Sequence, residues 1–316
     1  MDVSIVIVNY NTRRFLDECI QSIKRETSVS HEIIVVDNAS TDDSCAMVRA
    51  KHPDVHLIEN HENVGFAKAN NQGFALAKGR YYFMLNPDTV VIEKAIDKLI
   101  AFMDANPDVG ICGPKNIGPD GSLQYSCDHF PSIWNTFCSY ANLANRYPKS
   151  KIFGRQGMRY WDYAASRDVE RIMGCSLLTR ASVFKSLGGL DERFFMYFEE
   201  TDLCFRASKA LNRIVFVSAA TIIHFGGASA KNSSEEQPIN RTLYSHYLTS
   251  QYYFYSKHYG LIPMLAIRCL DFCYGVGIIV KNIFRGDRHI KKLRIAKGKA
   301  LCVGASAMKT SAFEAK

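Results

Sequence analysis

Several patterns are missing from this chain of 316 residues, and each absence removes a class of protein. Its ten cysteines contain no Cys-x-x-Cys pair and no regular spacing, which excludes a disulfide framework and a zinc ribbon. They read as reduced, mostly buried thiols of a cytoplasmic protein. No Gly-x-Gly-x-x-Gly follows the first apolar run and no Gly-x-x-x-x-Gly-Lys-Ser/Thr occurs, so neither a Rossmann dinucleotide site nor a P-loop is supported. The N-terminal MDVSIVIVNYN has no basic region and no cleavage signature, so it predicts a first strand and an unexported chain. Charge of one sign is also missing from most of the sequence. Residues 281–316 hold ten Lys or Arg against Asp287 and Glu314, and they account for the whole net charge of +8.

At 47% hydrophobic composition the chain can fill a sizeable core, as one large domain with an appendage. Strand-like runs fall at 3–9, 32–37, 55–60 and 81–86, separated by segments of helical length or loops. That order predicts a parallel, doubly wound sheet. Thr12 is placed to cap the first helix, and Ser40 with Asp43 has the spacing of a capping box for the second.

Each strand ends in polar residues: Asn9, Tyr10 and Asn11; Asp37 and Asn38; Asn60 and Asn63; Asn86 and Asp88. Ligands of open α/β sheets bind outside the carboxyl ends of the strands, so these groups are expected to converge on one crevice. Asn and Asp also form turns, which explains any single one of them.

Further along, PDGSLQ (119–124) predicts a hairpin turn. The aromatic-rich stretch to Tyr163 reads as a lid, an acceptor surface or plain core. Residues 170–179 resume strand character, a short helix carries Val183 to Leu187, and 214–219 and 221–225 read as two short strands.

Two acidic clusters carry the chemistry. Asp88 leaves a buried strand with no Lys or Arg adjacent in sequence. It suits either Mg²⁺ or Mn²⁺ or the N-cap of a helix beginning near Val90. Glu199, Glu200 and Asp202 open a helix, where acidic residues complement the macrodipole and Asp202 can pair with Arg206. The apolar FFMYF beside them favours a raised pKa suited to accepting a proton. His224, ahead of Gly226 and Gly227, can reach a metal or be a core histidine.

In this order and at these distances, IVIVNYN, EIIVVDNASTD, ENVGFAKANNQG, YYFMLNPDTVV, GGLDERFFMYFEETDLCFRA and IIHFGG resemble the large inverting glycosyltransferase family with the GT-A fold. Within it they resemble the bacterial rhamnosyltransferase-like branch, over residues 3 to 227. The resemblance implies a mostly parallel α/β sheet flanked by helices, with a nucleotide-sugar-binding and catalytic region at 1–230 and a helical, basic appendage at 231–316. It implies that Asn9, Asn11 and Asp37 hold the nucleoside and that Asn63, Gly65, Lys68 and Asn70 line the sugar-nucleotide pocket. Asn86 stands for the first Asp of the family's D-x-D motif, Asp88 is the direct metal ligand, and His224 completes the metal site. Glu200 falls at the catalytic base, where the family usually has Asp. Glu199 is the runner-up, and Gly174 and Asp202 lie toward the acceptor.

The reaction this implies is a single displacement. An acceptor hydroxyl attacks the anomeric carbon of a nucleotide sugar, rhamnose on dTDP being one candidate, as the nucleoside diphosphate leaves. A catalytically silent sugar-nucleotide or glycan-binding module is the alternative, suggested by Asn86 and Glu200 standing in for Asp.

The appendage contains LIPMLAIRCLDFCYGVGIIVKNIF, in which Arg268 and Asp271 interrupt the apolar run too early for a span. It reads as interfacial, with Lys281 to Lys299 facing anionic lipid, and a homodimer face is the competing explanation. No nucleic-acid motif accompanies the charge. The expected partners are therefore a nucleotide-sugar donor, a saccharide or lipid-linked acceptor, and the inner face of the cell membrane.

Overall fold

The computed structural model describes residues 1–226 and 240–307. Alternating β-strands and helices open the chain: β1 (Val3–Asn9), α1 (Arg13–Glu26), β2 (His31–Asp37), α2 (Ser44–Lys51), β3 (His56–Glu59), α3 (Phe66–Leu76) and β4 (Tyr81–Leu85). Then come β5 (Thr89–Val91), α4 (Ala95–Ala105), β6 (Val109–Ile117), β7 (Leu123–Gln124), β8 (Cys127–Asp128), α5 (Ile133–Tyr140) and α6 (Leu143–Arg146). The order continues with β9 (Arg167–Asp168), β10 (Arg171–Ile172), β11 (Ser176–Arg180), α7 (Ala181–Ser186), α8 (Glu199–Lys209) and β12 (Arg213–His224). The helices α9 (Arg241–Tyr259), α10 (Leu261–Ile283) and α11 (Arg288–Ser306) follow.

The main sheet runs β3-β2-β1-β4-β11-β6-β12-β5. β3, β2, β1 and β4 are parallel, β6 and β12 are parallel to each other, and β11 runs against both β4 and β6. The period of two sorts its side chains into two cores. Val3, Ile5, Ile7, Tyr81, Phe83 and Leu85 meet α1, α2 and α4 on one face. Val6, Val8, Tyr82 and Met84 meet α3, α7 and α8 on the other. Both faces are covered, which is why the strands read as continuous apolar runs. Each large side chain buried this way contributes about 1.5–3 kcal/mol.

Local differences from the sequence reading have physical causes. Asp88 does not cap a helix: residues 89–91 form β5, which pairs antiparallel with β12 so that Thr89 lies opposite His224. Ser40 and Asp43 form no capping box. Ser40 Oγ accepts hydrogen bonds from Asn9 Nδ2 and the Asn11 amide, and Asp42 Oδ1 accepts the Ser44 amide instead. Thr12 precedes α1 without capping it, because its hydroxyl donates to Asn9 Oδ1 at 2.6 Å. The two strands expected at 214–225 are one, with a register shift between Val217 and Thr221. All ten cysteines are free thiols, and Cys269 and Cys273 are exposed.

The expected boundary at residue 230 lies outside the described residues. The C-terminal helices do not stand apart from the sheet, since Phe194, just before α8, packs in one cluster with Leu248, Phe254, Ile267 and Leu301. α10 and α11 touch closely at Gly275 and Gly298. A Cβ on either would meet the other's carbonyl oxygen at 2.8 or 2.6 Å.

Candidate active site

The strand ends and the start of α8 surround one cavity of about 930 Å³. Asn38, Asn63, Asn86, Asp88 and His224 line it from the strand ends, Glu199 and Glu200 from the start of α8, and His129, Asn135, Tyr140 and the α9 residues His246, Tyr247 and Tyr255 complete the lining.

On the strand side, Asn9 Nδ2 donates to Asp37 Oδ1 at 2.7 Å, and Asp37 Oδ2 accepts the Ser40 amide at 2.8 Å. The network ties the ends of β1 and β2 together, and both side chains are buried behind the cavity wall. Asn38 donates to the Gly65 carbonyl, and Gly65, at φ +89°, lets the backbone approach Phe195. The Phe66 amide donates to the Phe195 carbonyl at 2.7 Å, and a Cβ at residue 65 would lie 2.5 Å from that oxygen. Only glycine fits such a contact at positive φ.

Asp88 reaches the cavity because β5 turns the chain toward β12. Its backbone carbonyl accepts the Phe225 amide, and its Oδ1 lies 3.5 Å from His224 Nε2. His224 is gripped at its other edge by Gln124 of β7. Gln124 Nε2 donates to the His224 carbonyl at 2.7 Å, and Gln124 Oε1 lies 2.9 Å from His224 Nδ1. A carbonyl oxygen can only accept, so Gln124 must present its own oxygen to Nδ1. Nδ1 therefore carries the proton in neutral imidazole, and Nε2 turns a lone pair toward Asp88. A carboxylate and a lone pair facing each other suit a shared cation. Among the described residues no group of three His, Cys, Asp or Glu converges. Asp88 and His224 could together hold one cation as a two-donor set, which would leave positions for phosphate oxygens and water.

On the helix side, Glu199 and Glu200 are 4% and 8% exposed. Burial raises the carboxyl of Glu199 well above the usual range, and the charge of Glu200 adds to it. Glu200 has a different setting. Arg171 Nη1 lies 3.3 Å from its Oε1 and donates to Thr201 Oγ1, while Arg171 Nη2 donates to Asp128 Oδ2 at 2.9 Å. Arg171 is kept charged by these two carboxylates, which outweigh the effect of its own burial. Gly174 lies beside Glu200, where a Cβ would meet the glutamate's Cβ at 3.3 Å.

The structure thus brings together Asn63, Asn86, Asp88, Gly174, Glu199, Glu200 and His224. It keeps others out of the cavity lining. Asn11 is exposed and accepts the Thr41 amide, Lys68 is exposed on the first turn of α3, and Asn70 is buried under that helix. Asp202 faces away from the cavity and is bound by Arg206, Lys257 and His258. Arg171, Gln124 and the α9 residues His246, Tyr247 and Tyr255 escaped sequence reasoning. Of this wall only α5, in the aromatic-rich stretch, gave a signal.

A mostly parallel sheet with a carboxylate and a histidine at its strand ends, facing buried carboxylates at a helix start, defines an enzyme of the GT-A fold class. The chain belongs to glycosyl transferase family 2, whose model matches residues 4–169, and it is a glycosyltransferase. It is 26% identical to the N-acetylglucosaminyl-diphospho-decaprenol L-rhamnosyltransferase of Mycobacterium tuberculosis, over 93% of this chain and 98% of that one. It is 25% identical to the low-salt glycan biosynthesis hexosyltransferase Agl10 of Haloferax volcanii, over 76% and 69%. In fold it resembles the Pyrobaculum calidifontis mannosyltransferase PcManGT solved with GDP-Man and Mn²⁺, with a TM-score of 0.54 at 17% identity over 96% of this chain and 85% of that one. It also resembles GalNAc-T7 solved with UDP, GalNAc and Mn²⁺, with a TM-score of 0.57 at 16% identity over 94% and 54%.

Proposed function

We propose that this protein is a divalent-metal-assisted, inverting glycosyltransferase that moves a sugar from a nucleoside diphosphate to a hydroxyl of a lipid-linked saccharide, in cell-surface polysaccharide synthesis. The observation that carries this reading is the placement of Asp88 and His224 across one cavity from Glu200 and Arg171. The similar mycobacterial rhamnosyltransferase supports a rhamnose donor and a polyprenyl-diphosphate acceptor.

Asn9, Asp37 and Asn38 would fix the strand ends that receive the nucleoside, with Asn63 and Asn86 in the cavity wall. Asp88 and His224 would hold Mg²⁺ or Mn²⁺, which supplies positive charge for the departing diphosphate. Glu200, oriented by Arg171, takes the proton of the acceptor hydroxyl as the bond from that oxygen to the anomeric carbon forms and the bond to diphosphate breaks. Glu199 suits this role less, because its burial and the neighbouring Glu200 charge oppose its ionised form. The division into a catalytic region at 1–230 and a helical region at 231–316 is part of the proposal, with α9 supplying the acceptor wall.

The test is release of nucleoside diphosphate from a panel of nucleotide sugars beginning with dTDP-rhamnose, with Mn²⁺ and with chelator, in wild type and Glu200→Gln. Metal-dependent turnover is expected to fall roughly 10²- to 10⁴-fold in the variant while donor affinity holds. Equal rates in the two proteins would remove Glu200 as the base. Turnover unaffected by chelation would remove the metal.

A further inference from the structure

The helix α10 has two unlike sides. Toward the protein it buries Met264, Ile267, Asp271, Gly275 and Asn282. The charges that interrupt its apolar sequence are both taken up there. Arg268 donates to the Ala305 carbonyl at 2.6 and 2.8 Å, and Asp271 accepts Tyr140, Tyr252 and Gln251 at 2.6, 2.9 and 3.1 Å. On the other side Leu261, Ile262, Leu265, Phe272, Val276 and Val280 are 40% to 81% exposed. At about 100° per residue they fall on one side of the helix, along an axis of roughly 35 Å. No charged residue interrupts that side.

We infer that this side of α10 docks on the surface of an anionic phospholipid bilayer and lies in the interface without crossing it. By length and composition the helix could span. Spanning, however, would strip α10 from α9 and α11 and leave Asp271 without its three donors in hydrocarbon. Basic residues at the end of the apolar strip select the lipid. Lys281, Arg285, Arg288 and Lys292 are exposed around the turn into α11. The carboxylates of residues 261–307 are Asp271, which is buried, and Asp287, which caps α11. A second copy seated on this face with its α10 parallel would set these cations against their own image, and one seated antiparallel would set them against the uncharged Leu261 end, whereas anionic head groups complement them. The surface stands independently of the glycosyltransferase reading, because none of its residues lines the cavity.

Flotation of the full chain with phosphatidylcholine vesicles, with and without phosphatidylglycerol, tests it in three proteins: wild type, Phe272→Glu/Val276→Glu, and Arg288→Glu/Lys292→Glu. Thermal melts and nucleotide-sugar turnover verify the fold. Wild type is expected to float with anionic vesicles and to dissociate as salt rises. The apolar-face variant is expected to lose roughly tenfold or more in partitioning, and the charge variant to lose its preference for anionic lipid. No flotation of wild type, or flotation of the folded face variant equal to wild type, would overturn the inference. So would a wild-type dimer that the face variant makes monomeric without any vesicle binding. Because turnover is measured in the same proteins, loss of flotation with intact turnover, or the reverse, separates this surface from the proposed activity.

Discussion

At the residue scale, one side chain outside the cavity lining acts on the site through His224. Gln124 lies 100 residues from His224 in sequence and fixes which imidazole nitrogen faces Asp88. Partners of this kind typically change metal affinity by about 10- to 100-fold. Gln124→Leu, which keeps the volume and removes both hydrogen bonds, is expected to weaken Mn²⁺-dependent binding of a nucleoside diphosphate by that factor with little change in thermal stability. Calorimetric titration with and without Mn²⁺ measures it, and metal-dependent affinity equal to wild type would show that the grip of Gln124 is not needed. Asp88 was legible in the sequence as a carboxylate leaving an apolar run, whereas His224 was joined to it only by the family resemblance and not by any local pattern. The contact with His224 depends on β5 pairing with β12, and three residues, Thr89 to Val91, are too short a run to announce a strand. Asp202 is the opposite case. Residues two apart on a helix point to different sides, so its departure from Glu200 could have been read from spacing alone.

Among elements, α8 carries the proposed base, and α9 holds α8 in place. Asp202 is fully buried, accepts Arg206 Nε at 2.7 Å, and lies 2.5 Å from Lys257 Nζ and 2.7 Å from His258 Nε2. Burial opposes its ionisation, but the bond from His258 and the charges of Arg206 and Lys257 outweigh it and hold its pKa below the usual 3.8. A depressed folded-state value means that the ionised pair stabilises the fold above pH 3.8 and that this contribution is lost as pH falls below it. Asp202→Asn is therefore expected to cost about 3–5 kcal/mol at neutral pH, because it leaves cations buried without their partner, and less near pH 3. Urea unfolding at the two pH values checks both statements, and a pH-independent difference would contradict the linkage. The strands and helices up to β4 were legible because both faces of the sheet are covered and each strand is apolar throughout. The attachment of α9 to α8 was not, since it rests on charges more than fifty residues apart whose meeting no local pattern records.

On the scale of the whole molecule, the helices foreseen in the sequence as an appendage pack against the part of the chain that carries the sheet. α9 lines the cavity and Phe194 shares the apolar cluster of α9 to α11. A chain joined in this way is expected to unfold as one unit, with a single calorimetric transition whose enthalpy matches the van't Hoff value. Two separated transitions would instead show a helical region that unfolds independently of the rest.

The buried carboxylate of α10 has an optical consequence. Tyr140 and Tyr252 both donate to Asp271, and burial together with that negative charge drives their phenols far above the ordinary value of 10. While α10 stays docked, burial and the Asp271 carboxylate oppose phenolate formation at both rings. Their ultraviolet absorbance change at high pH is therefore expected to follow the release of α10 from Tyr140 and Tyr252, and the protein carries its own chromophore for that one contact.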